Sequence, residues 1–372
     1  MMMRLNAQSP IHPIMVFLIT SSIVLLIAGT CSSSTSTNGG DSSRISPIKH
    51  LESSLAASAA HGTVVAVCAQ DQKDGKECVV ILSRSPSASL QSNLTVSPLR
   101  TYFDEHNNND ANNNDDKEEE EDIEQLLPLN NAGPIPSFYS TQSMIHLLHP
   151  PNQQDSSGAV VLALTGLAAD ARHLTRLTAK QIVEHDYIYG DDAKHRMQIK
   201  DVVRDVLSDT LTDAASDNGG RPYGVQALVA GWRRNRRSGG QELLDMYTVD
   251  PSGGYKHWGG GGTAVGRNAE MVRKRLHKAL HHRRRGNDED ENEFNIPQGA
   301  EGGLEVAMKA MLGDESAALS LGVDVAKEAR QFDALVLYPA KSRRNCAAFH
   351  PKKVEEVYRR YIASVKGSSD TL

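Results

Sequence analysis

The residues of this sequence that could most readily take part in catalysis are a glycine and the threonine that follows it. His61-Gly62-Thr63-Val64 places a threonine at the start of a β-branched run. A chain cut after that glycine would free a threonine whose own amine could activate its hydroxyl as a nucleophile. We favour the plainer interpretation, in which Thr63 is a β-branched residue that begins a strand. Thr63 is therefore a catalytic candidate only under an alternative hypothesis.

The other residues that could do chemistry do not combine into a site. His146 and His149 are three positions apart in a predicted strand and loop, so their side chains should face opposite sides. His281-His282 is followed by three arginines, which would repel a cation. The Gly259–Gly262 run is not followed by the Lys-Ser/Thr and helix start of a phosphate-binding loop. We predict no metal site, no cofactor and no further catalytic residue.

The four cysteines are too few and too scattered for a disulfide-dense scaffold. Cys68 and Cys78 flank a predicted hairpin turn, so a cross-strand disulfide between them is geometrically open. We favour two buried thiols in neighbouring strands, because a reduced cysteine behaves as a small apolar residue.

The overall charge is mildly acidic but unevenly spread. A net charge of −6 and a pI of about 6.2 argue against a dedicated nucleic-acid-binding protein, which usually carries a basic face. Residues 104–125 are strongly acidic, whereas 233–237 and 281–285 are basic. We interpret all three runs as solvated loops.

The N-terminal 44 residues differ from the rest of the chain. An apolar run from Ile14 to Ala28 follows Arg4 and leads into small residues, which fits a secretory signal peptide better than a membrane-spanning helix. A gene start assigned too far upstream would explain the pattern equally well. We predict a signal-like segment and a Ser/Thr/Gly tether over 1–44, with membrane contact only through the apolar segment if it is not cleaved.

The remaining sequence predicts an α/β (α+β) chain whose strands come in adjacent pairs. Predicted helices cover residues 47–60, 169–186, 197–215, 269–282, 302–312 and 351–365. Predicted strands are Thr63–Cys68, Glu77–Leu82, Met144–Leu148, Ala159–Leu164, Val225–Ala230, Glu242–Val249, Thr263–Val265 and Ala334–Tyr338. Hairpin-like pairs favour two antiparallel sheets with helices outside over a doubly wound parallel sheet.

One long stretch interrupts this pattern. Residues 86–138 are rich in Asn, Asp and Glu, and cannot bury enough apolar surface to offset the entropy lost on ordering. We predict a disordered surface insertion, since the cost of closing a loop grows slowly with its length. The domain is then expected to span 45–365, with a tail at 366–372.

Three short sequence motifs, called words below, resemble those of one family. Thr165–Arg172 (TGLAADAR) leaves a strand through glycine into a helix, and Arg221–Val225 (RPYGV) enters a strand. Asp250–Tyr255 (DPSGGY) is a turn, followed by Trp258 and the small-residue strand Ala264–Asn268 (AVGRN). In this order the words resemble the α-type subunits of the proteasome, which have the N-terminal-nucleophile fold.

The resemblance covers residues 45–85 and 140–365, and Gly231-Trp232 with Trp258 leans weakly toward the α2 type. It implies a four-layer αββα sandwich, with two antiparallel sheets between helix layers. It also implies a non-catalytic structural subunit of the proteasome core particle, in ubiquitin-dependent protein catabolism. The expected partners are other α subunits and β subunits in stacked seven-membered rings, with regulatory caps and without nucleic acid. Cytoplasm and nucleus are the implied locations.

The sequence departs from the family at the positions that carry chemistry. A catalytic β-type relative would have an acid where this chain has Leu82 and a lysine where it has Met144. Gly166, which would supply an oxyanion-hole N–H in such a relative, is interpreted as part of a tight turn. The gate segment is reduced to Ser46–Glu52 without the gate tyrosine.

Two alternatives to the structural role stay open. One is a threonine endopeptidase that uses Thr63, and the other is a secreted or organellar relative with a new role, which the signal-like segment suggests.

In α subunits the lysine at the Met144 position helps bind the C-terminal carboxylate of activator tails. Methionine carries no charge, so we do not expect strong tail binding at a pocket that depends on this residue.

Overall fold

The computed structural model describes the greater part of one structural unit, Ile45–Leu372. The described residues are 47–70, 77–85, 126–128, 144–149, 160–189, 197–216, 220–234, 242–259, 261–281, 296–313, 328–329, 331–338 and 346–369. The predicted signal-like segment and tether, residues 1–44, lie outside them.

The described helices and strands follow the predicted order closely. The helices are α1 (Pro47–Ala60), α2 (Ala168–Tyr189), α3 (residues 199–215), α4 (Ala269–Leu280), α5 (Gly299–Leu312) and α6 (Pro351–Ser369). The strands are β1 (Thr63–Gln70), β2 (Glu77–Arg84), β3 (Leu126–Pro128), β4 (Ile145–His149), β5 (Val160–Gly166), β6 (Val225–Arg234), β7 (Glu242–Val249), β8 (Tyr255–Trp258), β9 (Gly262–Gly266), β10 (Phe332–Leu337) and β11 (Cys346–Phe349). The middle of α3, Val202–Ser208, is wound as a π-helix.

The described strands form two antiparallel sheets. The first sheet has the order β3-β11-β10-β2-β1-β9, and the second has the order β4-β5-β6-β7-β8. Every neighbouring pair in both sheets runs antiparallel. In the first sheet Thr63 lies opposite Arg84 of β2 and opposite Gly266 of β9.

Three buried clusters show how the layers stack. Alternate residues of β1 face opposite ways, as the strand period requires. Val65 packs with α4, α5 and α6 on the outer side of the first sheet, whereas Val64 packs between the sheets. A third cluster, which includes Leu174 and Leu207, joins α2 and α3 to the second sheet. The described residues therefore form four αββα layers, which confirms the predicted fold.

Two elements differ from the sequence prediction. The strand β3 lies inside the 86–138 stretch that we expected to be disordered, and it pairs with β11. The rest of that stretch lies outside the described residues. The helix α6 reaches Ser369, past the predicted domain end at 365. Gly367 and Ser368 are weak helix formers, but extending an existing helix by one turn costs much less than starting one.

The strands β8 and β11 were also missed. β8 is exposed along most of its length, and β11 has only four residues, so neither has the long apolar alternation that identifies a strand in sequence. Both are held by pairing with strands that were predicted, β7 and β10.

The cysteine interpretation is confirmed for the hairpin. Cys68 faces the core between the sheets, whereas Cys78 faces the core under the helices. Side chains on opposite faces of a sheet cannot form a disulfide without moving the backbone. Both thiols are buried, and burial raises the pKa of Cys68 to about 12.

Candidate functional site

The candidate nucleophile is held inside the chain by its neighbours. The Thr63 hydroxyl donates a hydrogen bond to the carbonyl oxygen of Arg267 at 3.0 Å. The Arg267 N–H in turn donates to the carbonyl oxygen of Gly62 at 2.8 Å. Thr63 is only 8% exposed. In the uncut chain its nitrogen is part of the peptide bond to Gly62, so it offers no amine as a base.

The two positions that would hold the acid and the lysine of a catalytic relative carry no charge. Met144 packs beside Gly62, where an added Cβ would lie 2.5 Å from the Met144 Cε atom. Leu82 is fully buried on the other side of the first sheet, in the core under the helices. A thioether and an alkyl group can neither lower an amine pKa nor move a proton. Thr63 therefore occupies a packed strand start.

An ion pair joins the first two sequence words. The Asp170 side chain, in the first turn of α2, is 6% exposed, whereas that of Arg221 is 62% exposed. Arg221 Nη2 lies 2.6 Å from Asp170 Oδ1, and Nη1 lies 2.9 Å from Oδ2. The Gly224 N–H also donates to Asp170 Oδ2, at 3.0 Å. Asp170 thus holds the 221–224 segment against the start of α2, and we call this arrangement the Asp170 clamp.

Both charges of the clamp are maintained by their contact. Burial opposes ionisation of the Asp170 carboxyl, but the hydrogen bonds from Arg221 and from the Gly224 N–H outweigh it. They hold the pKa of Asp170 below its usual value of 3.8. The hydrogen bond to Asp170 also raises the pKa of Arg221. The pair is therefore ionised across the neutral range.

The backbone near the clamp is packed too tightly for a side chain at Gly166. Gly166 has φ of +121°, and an added Cβ would lie 2.0 Å from the carbonyl oxygen of Gly224. That carbonyl accepts a hydrogen bond from the Leu167 N–H at 2.9 Å. The interpretation of Gly166 as a tight-turn residue agrees with this geometry.

The helix α1 docks on the same segment. The Ser54 hydroxyl donates to the Pro222 carbonyl oxygen at 3.2 Å. A shallow open cleft separates α1 from the clamp and is lined by His50, Ser53, Ser54, Ala57, Leu167, Arg221, Pro222 and Gly224. The clamp therefore connects α1, α2 and the start of β6.

The third word packs on α3. Gly253 has φ of +83°, and an added Cβ would lie 2.0 Å from Thr212 Oγ1. The Ser208 hydroxyl donates to the Gly253 carbonyl oxygen at 2.7 Å. All three words thus build contacts between the second sheet and its helices.

The end of α2 carries an apolar surface that faces solvent. The buried face of this helix includes Leu174, Thr178 and Ile182. Four large apolar side chains of its last two turns are exposed: Val183 (67%), Tyr187 (90%), Ile188 (68%) and Tyr189 (60%). We call these four residues the α2 patch. Large apolar side chains exposed together at one helix end are a feature of interaction sites in soluble proteins.

The predicted histidine sites are only partly described. His146 is buried in β4, and the side chain of His149 lies outside the described residues, as does His282. His281 instead stacks on His277, one helical turn earlier. Over the described ranges no three or more His, Cys, Asp or Glu side chains gather as a metal site, and no described helix is long and apolar enough to cross a membrane.

The clamp and the α2 patch were both missed from the sequence. A signal for the clamp was present, since each of the two words holds a charged residue among small and apolar ones. Their pairing could not be read, because Asp170 and Arg221 are 51 positions apart. The α2 patch gives no separate signal, because apolar residues in a predicted helix are normally assigned to its buried face.

Comparison with known proteins agrees with the fold. The family model for proteasome subunits matches residues 156–293, which contain all three words. Proteasome subunit alpha type-2 of Caenorhabditis elegans is 28% identical over 134 residues, covering 35% of this chain and 53% of the relative. Probable proteasome subunit alpha type-2 of Neurospora crassa is 35% identical over 120 residues, covering 32% of this chain and 42% of the relative.

A third relative has a different subunit number. Proteasome subunit alpha type-8 of Mus musculus is 29% identical over 119 residues, covering 32% of this chain and 42% of the relative. The chain thus spans about half the length, or less, of the relatives it matches. Its fold, its three words and these matches agree: over the matched residues the chain is similar to proteasome subunits, and the curated relatives it matches are of the α type.

Proposed function

We propose that this chain is a non-catalytic structural subunit of a proteasome core particle. It packs beside other α subunits in a seven-membered ring, stacks on a β ring and borders the entrance to the proteolytic chamber. Its role in ubiquitin-dependent protein catabolism is then carried by surfaces and not by reacting side chains. The similarity to proteasome subunits and the four-layer fold support the proposal, and regulatory caps are its further expected partners.

The observation that carries the proposal is the α2 patch. Val183 and Tyr187 are four positions apart, so they project from the same helix face. Exposure of Val183, Tyr187, Ile188 and Tyr189 does not stabilise a monomer. Burying an apolar side chain of this size would stabilise the protein by roughly 1.5–3 kcal/mol. A neighbouring subunit that covers the α2 patch would provide part of this stabilisation.

The surroundings of Thr63 support the non-catalytic part of the proposal. The hydroxyl is bonded to a backbone carbonyl, and Met144 fills the space beside Gly62. We further propose that the protein acts in the cytoplasm and nucleus, as the family resemblance implies.

Affinity purification of the chain from its native cell tests the proposal directly. We expect α and β proteasome subunits to co-purify with it in a particle of core size, and we expect peptides from residues 46–62 in the same preparation. Recovery of the chain alone would contradict the structural role. A mature N-terminus at Thr63 would instead support the peptidase alternative.

Charged substitutions in the α2 patch should break assembly. We expect the double variant Val183→Asp/Tyr187→Asp to lower the fraction of the chain in assembled particles at least tenfold. An unpaired charge buried in an interface costs roughly 2–5 kcal/mol, which is more than tenfold in affinity. The measurement is the assembled fraction after size-exclusion chromatography of co-expressed subunits.

A matched control separates the patch from general surface effects. Met271 is another large apolar side chain, 51% exposed, on α4 at the opposite helix layer. The variant Met271→Asp should assemble at least five times better than the patch variant, and all variants should keep the circular dichroism of the wild type. Equal assembly of the two variants would remove the α2 patch from the proposed interface.

A further inference from the structure

Two histidines meet at the end of α4. His277 lies in the last turn of the helix, and His281 is its C-terminal cap. Their ring centroids are 4.0 Å apart and the ring planes differ by 28°. From the sequence, His281 was considered only with His282, and that pair was not expected to bind a cation. The four-residue spacing places His277 and His281 on one helix face. His277 is exposed and His281 partly so, and a dissolved ion can therefore reach the rings.

The spacing suits a shared metal ion. Neutral imidazole nitrogens are preferred ligands of Cu²⁺, Ni²⁺ and Zn²⁺. Two imidazoles bound at right angles, with metal–nitrogen distances of about 2.1 Å, would have ring centroids roughly 4.5 Å apart. The rings need to open by only about half an ångström from their stacked positions, which a small side-chain rotation provides.

The surrounding charges select the kind of ion. Lys274 is paired with Glu270 at 2.9 Å, and Arg273 lies over the Trp258 ring at 5.6 Å. Lys278 adds a positive charge on the same helix, and Arg283, Arg284 and Arg285 follow the site in the sequence. This field disfavours Mg²⁺ and Ca²⁺, which require several oxygen ligands. Cations that bond strongly to nitrogen tolerate it better, and the carbonyl groups at the helix C-terminus favour positive charge.

We propose that His277 and His281 form a two-histidine site for a divalent transition-metal ion, with Cu²⁺ bound more tightly than Ni²⁺ or Zn²⁺. Water, or a group from a neighbouring protein, completes the coordination. The site is independent of the proposed role in a proteasome ring, because it needs only the exposed end of α4. It departs from the expectation of no metal site, since pairing across a helical turn was not considered.

Titration of the tag-free, full-length chain with CuCl₂ tests the site. Isothermal titration calorimetry near pH 7.5 should show one ion per chain at the tightest site. His277→Ala and His281→Ala should each weaken that binding at least tenfold, because each variant loses the second ligand of a chelate. NiCl₂ and ZnCl₂ should bind the wild type more weakly than CuCl₂, following the general order of metal affinities.

Two further variants serve as controls. His173 stacks on Tyr223 away from α4, so His173→Ala should bind Cu²⁺ as the wild type does. His282→Ala should retain most of the affinity if His277 is the partner of His281. Unchanged binding in His277→Ala, or a loss in His282→Ala as large as that in His281→Ala, would overturn the proposal.

Discussion

Replacing Gly166 with alanine is expected to destabilise the protein by about 3–5 kcal/mol. A non-glycine residue held at φ of +121° costs roughly 1–3 kcal/mol in backbone strain. The added Cβ would also lie 2.0 Å from the Gly224 carbonyl oxygen, so the two chain segments must separate. Such overpacking costs roughly a further 1–3 kcal/mol. Urea unfolding at pH 7, followed by circular dichroism, measures the change.

The Gly224 segment has little freedom to yield. Its carbonyl oxygen accepts a hydrogen bond from Leu167, and its N–H donates to Asp170. Moving Gly224 away from an alanine at position 166 would therefore strain hydrogen bonds on both sides of the Gly224 Cα atom. Since breaking one net hydrogen bond costs about 1 kcal/mol, relaxation gives little relief.

Gly220 supplies the matched control. It also has positive φ, +91°, but an added Cβ would meet nothing within 4 Å. Gly220→Ala should cost only about 1 kcal/mol, which is the backbone term without the clash. A Gly166→Ala variant as stable as Gly220→Ala would show that the contact with Gly224 does not limit this turn.

The layers of the fold could be predicted because they depend on local patterns. Buried strands such as Val160–Gly166 read as apolar runs, and the strands that follow one another in the second sheet are paired in space. The strand β3 could not be predicted, because three residues gain their order only from pairing with β11, which follows more than 200 positions later. Long-range pairing leaves no trace in the local composition.

Some features of the candidate site could likewise be predicted from the local sequence, whereas others depend on how the elements pack. That positions 82 and 144 supply neither an acid nor a lysine could be predicted, because a leucine or a methionine carries no charge wherever it lies. The contact of Met144 with Gly62 fits that expectation. The Asp170 clamp could not be predicted, because the pairing of Asp170 with Arg221 forms only when α2 and the segment before β6 are packed together. The stacking of His277 on His281 follows from helix geometry, but requires knowing where α4 ends.

Replacing Arg221 with methionine is expected to destabilise the protein by about 2 kcal/mol at pH 7. The substitution keeps most of the side-chain volume but leaves the Asp170 carboxylate, 6% exposed, with only the Gly224 N–H. Breaking a fully buried ion pair in this way costs roughly 3–5 kcal/mol, and the 62% exposure of Arg221 lowers the figure. Asp170→Asn should cost less, about 1 kcal/mol, because the remaining guanidinium is solvated.

The exposed pair of Arg204 and Asp205 is the control for the loss of a guanidinium. Their side chains are 50% and 45% exposed, so Arg204→Met should leave the free energy of unfolding almost unchanged. A cost for Arg221→Met no larger than this would mean that the clamp contributes little to stability.

The destabilisation by Arg221→Met should depend on pH in a defined direction. In the wild type the pKa of Asp170 is below its ordinary value of 3.8, so its ionisation adds stability above that value. This stability is lost as the pH falls through the folded-state pKa. The variant lacks the main hydrogen bond that lowers the pKa of Asp170, so burial raises that pKa, and a neutral carboxyl costs less to bury than a charged one. Urea unfolding should therefore show the full difference at pH 7 and a much smaller one near pH 3. A difference that is constant across this range would mean that Arg221 stabilises the fold through packing and not through its charge.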